Sequence, residues 1–226
     1  MIPKTIHLIW IGDQSKRPQT WMDTWAAMNP DYTVEIWDNE KVQGTQWILG
    51  DHINGWFDRE INGAADVLRW ELLFRHGGLA FDADSICIRP LEDWLLAPSS
   101  FAAWENEIAR PGLIAAGALG FTAKHPLLAQ IIQDIRRDPN PYDAMAWQKV
   151  GPLRLTQSVR NINYINLTVY PSHYFFPRHL TGLEYTGDGP VFAQQFWGST
   201  HRQWGQDVME AATAPAAPAK ELEPCS

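Results

Sequence analysis

Two cysteines in 226 residues, Cys87 and Cys225, cannot build a disulfide framework, and a reducing compartment is the simpler reading. Basic residues are short as well: 18 Lys and Arg stand against 26 Asp and Glu, for a formal net charge of -8. Such a chain has no net positive field to meet phosphates, so duplex nucleic acid is disfavoured as a main partner. No apolar run approaches the ~20 residues that a membrane-spanning helix needs. The opening Met1-Ile2-Pro3-Lys4-Thr5-Ile6-His7 has no basic segment leading into a long apolar stretch, so it does not read as a signal peptide. With 16 Gly and 16 Pro the composition is neither collagen-like nor low-complexity. A soluble, cytoplasmic protein is the expectation.

Tryptophan, by contrast, is abundant, with 12 residues, and hydrophobic residues make up 45% of the chain. That is enough to bury a core at this length. A large ring with one N–H serves a core, an interface, a base-stacking site or a sugar platform. Composition does not choose among them.

The hydrophobic pattern divides into alternating elements. Thr5–Ile11 is a nearly continuous apolar run ended by Gly12-Asp13, as expected of a buried strand feeding a tight loop. Pro18–Met28 reads as a helix with Trp21 and Trp25 one turn apart, and Tyr32–Trp37 as a second strand. No element can be placed between Asp38 and Asn62. Gly63–His76 is the clearest helix, closed by Gly77-Gly78, and Leu79-Ala80-Phe81 is a short strand behind it. Phe101–Trp104, Leu113–Phe121 and Leu167–Tyr170 read as strands, and Pro126–Arg137 and Leu153–Arg160 as helices. Strands alternating with helices predict an α/β architecture with a largely parallel sheet. One domain over residues 1–210 and an Ala/Pro-rich flexible tail over 211–226 are expected.

The sharpest chemical feature is Asp82-Ala83-Asp84 at the end of a buried strand. Carboxylates two positions apart project from one side if the strand continues, and can share a divalent cation. Hard carboxylate oxygens suit Mg or Mn, which in turn bind diphosphate oxygens. An isolated Asp-x-Asp is commonly a pair of solvated turn residues. Here, however, Asp66 and Arg69 lie upstream, one helical turn apart on the most hydrophobic helix, where charges want hydrogen-bonding partners. A polyhydroxylated ligand supplies both donors and acceptors.

Three linked motifs now stand in order: Ile2 to Gly12 with its Ile9-Trp10-Ile11, Ala64-Ala65-Asp66-x-x-Arg69, and Gly77-Gly78-x-x-x-Asp82-x-Asp84. Together they resemble the DXD-containing sugar-binding region of glycosyltransferases, in the subgroup of yeast-type initiating mannosyltransferases and bacterial capsule and lipopolysaccharide sugar transferases. Weaker matches follow at Gly151–Thr156, Tyr174–Pro177 and Ala193–Ser199. The resemblance implies a single-domain GT-A fold, Rossmann-like, and a nucleotide-sugar donor (UDP- or GDP-linked) used with Mn or Mg. It implies that Trp10 stacks on the base, with Ile9, Ala65 and Ala83 lining the donor site beside it. Asp66 and Arg69 would hold donor-sugar hydroxyls, and Asp82 and Asp84 the metal, Asp84 as the direct ligand. It further implies transfer to a hydroxyl acceptor, such as a glycan, with retention of configuration. A lipid-linked acceptor would bring peripheral membrane contact. Net acidity fits a bridging cation, because an acidic chain holds a diphosphate poorly without one.

The chain departs from the family at Ala80, where Tyr is usual, and at Gln195 and Thr200, where a His and a Trp are usual. His201 or Trp204 could substitute. Weaker metal binding, a different donor or reduced activity would follow, and with them a second reading as a degenerate protein that only binds sugar or nucleotide. A third reading is a haloacid-dehalogenase-like phosphohydrolase, which Leu79–Ser85 resembles. That family carries its motif on the first strand and a later Asp pair, which this chain lacks. Trp21, Trp25, Trp47, Trp56 and Trp197 are candidate acceptor platforms, with core packing the better expectation for any one of them.

Overall fold

A computed structural model describes residues 1–198. The 211–226 tail, Cys225, Thr200, His201 and Trp204 lie outside the described residues. In chain order the elements are β1 (Thr5–Ile9), α1 (Gln19–Met28), β2 (Thr33–Trp37), α2 (Asn39–Gln43), α3 (Gly50–Arg59) and α4 (Ile61–His76). Next come β3 (Gly78–Asp82), β4 (Ser85–Cys87), β5 (Ser100–Trp104), β6 (Ile114–Phe121) and α5 (Pro126–Arg137). The described part closes with α6 (Ala146–Lys149), α7 (Pro152–Asn161), β7 (Thr168–Tyr170) and β8 (Ala193–Gln195).

The main sheet runs β2-β1-β3-β6-β5-β7, and β4 pairs with β8 in a two-stranded ribbon. β1 is parallel to β2 and β3, and β5 to β7, but β6 is antiparallel to both β3 and β5. The sheet is therefore largely parallel, as expected, with β6 alone reversed. Between Trp104 and Ile114 the chain is too short for a crossover helix, so β6 can only return antiparallel. From β1 the chain passes to β2 on one side and then to β3 on the other. This reversal opens a crevice beyond the carboxyl ends of β1 and β3, where open α/β sheets bind ligands.

Side chains alternate across the strands, so two apolar layers form. Ile6, Leu8, Leu79 and Phe81 face a layer with Trp25, Phe101 and Phe175. Ala80, Ala102 and Ala116 face the helices, beneath Val67, Leu68 and Leu72 of α4. Ala80 thus lies in the helix-side core, where its small side chain leaves room for α4 to pack closely. Trp25, Trp56 and Trp70 are fully buried, and Trp21 nearly so, which removes Trp21, Trp25 and Trp56 from the sugar-platform candidates.

The stretch the sequence could not assign contains α2 and α3. α3 hides only Ile53 and Trp56, too narrow a seam to show through its polar composition. Trp56 lies flat over Gly63, where an added Cβ would come within 2.6 Å of its ring. The entry to α3 has no side-chain cap of its own. Glu71 of α4, 0% exposed, does that work from a distance. Its carboxylate accepts from the backbone N–H of Ile48 at 2.8 Å and Leu49 at 2.6 Å, and pairs with Arg75 at 3.0 Å. Glu71→Ala should lower the unfolding free energy by about 3 kcal/mol, because a buried and a half-buried donor lose their acceptor and Arg75 its partner. Urea denaturation of the two proteins measures the difference.

Candidate active site

Chain geometry brings the upstream motif to the downstream one. From Arg69 the helix α4 descends about 12 Å to Gly77 at its ordinary rise. Gly77, at φ +67°, reverses the chain, and β3 climbs about 13 Å to Asp82. Arg69 and Asp82 therefore return to one level. The parallel register sets Ile9 of β1 beside Asp82, so Trp10 leaves the sheet at the same rim.

The result is a cleft of about 860 Å³ whose walls include Ile9, Trp10, Ala65, Asp66, Arg69, Asp82, Ala83 and Asp84. All eight residues singled out from the sequence meet there. Its charged walls comprise six carboxylates against three cationic side chains.

The floor is a buried ionic cluster. Arg69, 5% exposed, donates to Asp82 and to the backbone carbonyl of Ala116, and its Nη1 stands 3.7 Å from Asp66. Burial opposes its charge, but Asp82 and Asp66 outweigh that effect and hold its pKa above the ordinary value. Asp66 lacks so close a partner: burial pushes its pKa up to about 7, against the pull of Arg69. Glycine makes room for two of these carboxylates. A Cβ on Gly117 would come within 2.4 Å of Asp82 Oδ2, and one on Gly151 within 2.6 Å of Asp66 Oδ2.

The aspartates of Asp-x-Asp converge differently from the expectation. β3 ends at Asp82, so the strand does not continue; Ala83 and Asp84 form a turn before β4. Ser85 Oγ closes that turn by donating to the Asp82 carbonyl at 2.5 Å. Across the β4–β8 ribbon Ser85 faces Gln195, whose Nε2 donates to Asp82 Oδ2 at 3.0 Å and to Asp84 Oδ1 at 2.7 Å. The Gly198 N–H donates to Asp84 Oδ2 at 2.7 Å. Burial and then the neighbouring Asp82 charge raise the Asp84 pKa, and the Gly198 N–H opposes them.

The walls also contain residues with no motif to announce them, Glu105, Arg110 and Trp147, and Phe176 from the Tyr174–Pro177 match. Glu105 follows the carboxyl end of β5, the same rim as Asp82, and receives His179 and Arg110 at 3.3 Å each. The Arg110 guanidinium lies 5.1 Å from the centre of the Trp147 ring. The only advance signal for Glu105 was its place just after a strand. Trp197 lines the cleft, its indole N–H donating to the Arg178 carbonyl at 3.1 Å, whereas Trp47 packs against Trp37. The Trp10 indole N–H donates to the Asp13 carbonyl at 3.1 Å.

Residues 15–101 match the glycosyltransferase sugar-binding region containing the DXD motif. Over 145 residues, 60% of the chain, it is 29% identical to inositol phosphoceramide mannosyltransferase 3 of Schizosaccharomyces pombe, spanning 38% of that relative's length. The PaToxG glycosyltransferase superposes with a TM-score of 0.55 at 19% identity, covering 71% of this chain and 69% of that one. The galactosyltransferase LgtC, solved with donor and acceptor sugar analogues, gives 0.52 at 13% identity, covering 95% and 98%. The fold is accordingly GT-A.

A raised carboxylate has a defined effect on stability. Between its ordinary value near 3.8 and about 7, Asp66 binds more proton in the folded state than in the unfolded one. Unfolding therefore becomes easier as pH rises through that window. Relative to Asp66→Asn, the native chain should lose melting temperature from pH 4 to pH 7, and thermal melts of the two proteins across the range measure the difference.

Proposed function

We propose that the chain is a metal-dependent glycosyltransferase that moves a sugar from a UDP- or GDP-linked donor to a hydroxyl acceptor, with retention of configuration. The observation that carries this reading is the convergence of Asp66, Arg69, Asp82 and Asp84 on one cleft floor, beside Trp10. The relatives named as sugar transferases support it, and the acceptor, a glycan or another hydroxylated group, follows from the resemblance. A cytoplasmic location fits a chain in which no helix among the described residues is long and apolar enough to cross a membrane.

The donor set suits a hard divalent cation such as Mn or Mg. Asp82 and Asp84 point oxygens at one shared atom, Gln195 Nε2, and burial disfavours the charge on Asp84 until something positive offsets it. Asp82 and Asp84 would hold that ion. When bound, the ion supplies Lewis-acid stabilisation to the diphosphate leaving group. With six carboxylates in its walls, the cleft repels a diphosphate in the ion's absence.

The protein groups have separate tasks in this reading. Trp10 offers an indole face at the rim for the base. Asp66 accepts from sugar hydroxyls, and the guanidinium of Arg69 fixes the carboxylates around them. Arg69 Nε is buried without an acceptor among the described residues, so it has donor capacity to spare. Trp147 and Trp197 lie on the walls as apolar faces for an acceptor sugar.

A thermal-shift screen of UDP- and GDP-sugars with Mn tests the proposal on the native chain and on Asp84→Ala. A ligand at a hundredfold excess over its Kd stabilises by about 2.7 kcal/mol. For a chain of this size that raises Tm by about 5–10 °C. One nucleotide class should give such a shift and the variant should lose it; silence with every nucleotide would defeat the reading. Donor hydrolysis then separates a working transferase from a degenerate binder, and brisk turnover of a generic phosphate ester would favour a phosphohydrolase.

A further inference from the structure

We propose that Arg110 reads an anion at the acceptor end of the cleft, so that the acceptor carries a phosphate or carboxylate near the hydroxyl that receives the sugar. This rests on the transferase reading above.

The sheet order gives the cleft two ends. β1 leads into Trp10, β3 ends at Asp82, and β5 leads into Glu105, with β6 lying between β3 and β5. Three strand spacings, about 14 Å, therefore separate the Trp10 end from the Glu105 end. With the base at Trp10 and the diphosphate at Asp82 and Asp84, the β5 end is left for the acceptor. Arg110 lines the wall there.

The connection from Glu105 to Leu113 folds back on itself and holds Arg110 in place. The Glu105 N–H donates to the Leu113 carbonyl and the Arg110 N–H to the Asn106 carbonyl, both at 3.0 Å. Asn106 Oδ1 closes the turn by accepting from the N–H of Ile108 at 3.0 Å and of Ala109 at 2.7 Å. At the far end of the side chain, the guanidinium lies over the Trp147 ring, with Nε 3.3 Å from Glu105 Oε1.

The plain account of such an arginine is a counter-ion for buried Glu105. That contact is one of charge alone, whereas His179 is the side chain hydrogen-bonded to the same carboxylate oxygen. None of the guanidinium N–H groups of Arg110 makes a hydrogen bond among the described residues. The other cations of the walls are committed: Lys16 pairs with Asp13 at 3.3 Å, and both outer nitrogens of Arg69 are engaged by Ala116 and Asp82. Arg110 thus presents a held, planar fork of donors, the shape that matches two oxygens of a phosphate or carboxylate. Phe176, Leu180 and Trp147 in the same walls displace water, which strengthens such a pair. Six carboxylates repel an anion elsewhere in the cleft, so the fork also decides where an anionic acceptor can sit.

Glucose 6-phosphate, glucuronate and methyl glucoside share one ring and differ in the charge at its sixth carbon. Isothermal titration of each into the chain loaded with Mn and its preferred nucleotide reads the site without turnover. Native chain, Arg110→Ala and Arg110→Lys are compared, with circular dichroism to verify folding. The native chain should bind at least one charged probe tenfold or more tightly than methyl glucoside. Arg110→Ala should erase that preference yet keep the thermal shift with nucleotide, and Arg110→Lys, which keeps the charge without the fork, should fall between the two. Native binding of methyl glucoside as tight as that of the charged probes, or no measurable binding of either charged probe, would overturn the anion role; the nucleotide shift would still uphold the transferase reading. Inorganic phosphate bound as tightly as glucose 6-phosphate would mean an adventitious ion only, and would overturn it too. Loss of the nucleotide shift in Arg110→Ala would assign the arginine to the donor diphosphate instead. A native chain that responds to no nucleotide defeats the transferase reading and the acceptor role with it.

Discussion

A guanidinium removed from water needs acceptors on every side, and Arg69 obtains them only if three parts of the chain arrive together. Asp66 comes from its own helix, Asp82 from the next strand, and the Ala116 carbonyl from β6. Leaving such a charge unpaired costs several kcal/mol. That penalty fixes the roll of α4 over the sheet and the height at which β3 ends. Small residues complete the arrangement: Ala80, Ala102 and Ala116 let α4 approach, and Gly117 leaves space for the Asp82 carboxylate. The motif spacing is therefore a mechanical requirement of the fold as much as a chemical one.

The elements with a strong period were legible. β1, β3, α4 and α5 appeared in the sequence because each buries many apolar residues, in a run or along one face, while α1 and β2 showed through spaced tryptophans and a β-rich alternation. α3 was missed although Ile53 and Trp56 share one face, because polar residues and two glycines surround them and its cap comes from Glu71 far along the chain. The largely parallel sheet was legible from the alternation of strands and helices, but the reversal of β6 within it was not. That reversal depends on the length of the β5–β6 connection, which carries no hydrophobic signal.

The cleft was legible in proportion to how local its parts are. The eight residues on β1, α4 and the β3–β4 turn lie in short motifs whose spacing the fold preserves. Glu105, Arg110 and Trp147 reach the same walls from the β5–β6 connection and α6, and nothing in their immediate neighbours marks them. Gln195 was visible only as a departure from a family pattern. Its partners at Asp82 and Asp84 appear once the ribbon is formed.

That ribbon has a temporal consequence. Gln195 reaches Asp82 across a separation of 113 residues, whereas Arg69 reaches it across 13. Contacts that close long loops form late, and during synthesis the amino-terminal part leaves the ribosome first. The Arg69 cluster can assemble with α4 and β3, but the Asp82–Asp84 pair must wait for nearly the whole described chain before Gln195 spans it. Until then the nascent molecule holds two aspartates side by side with no amide between them.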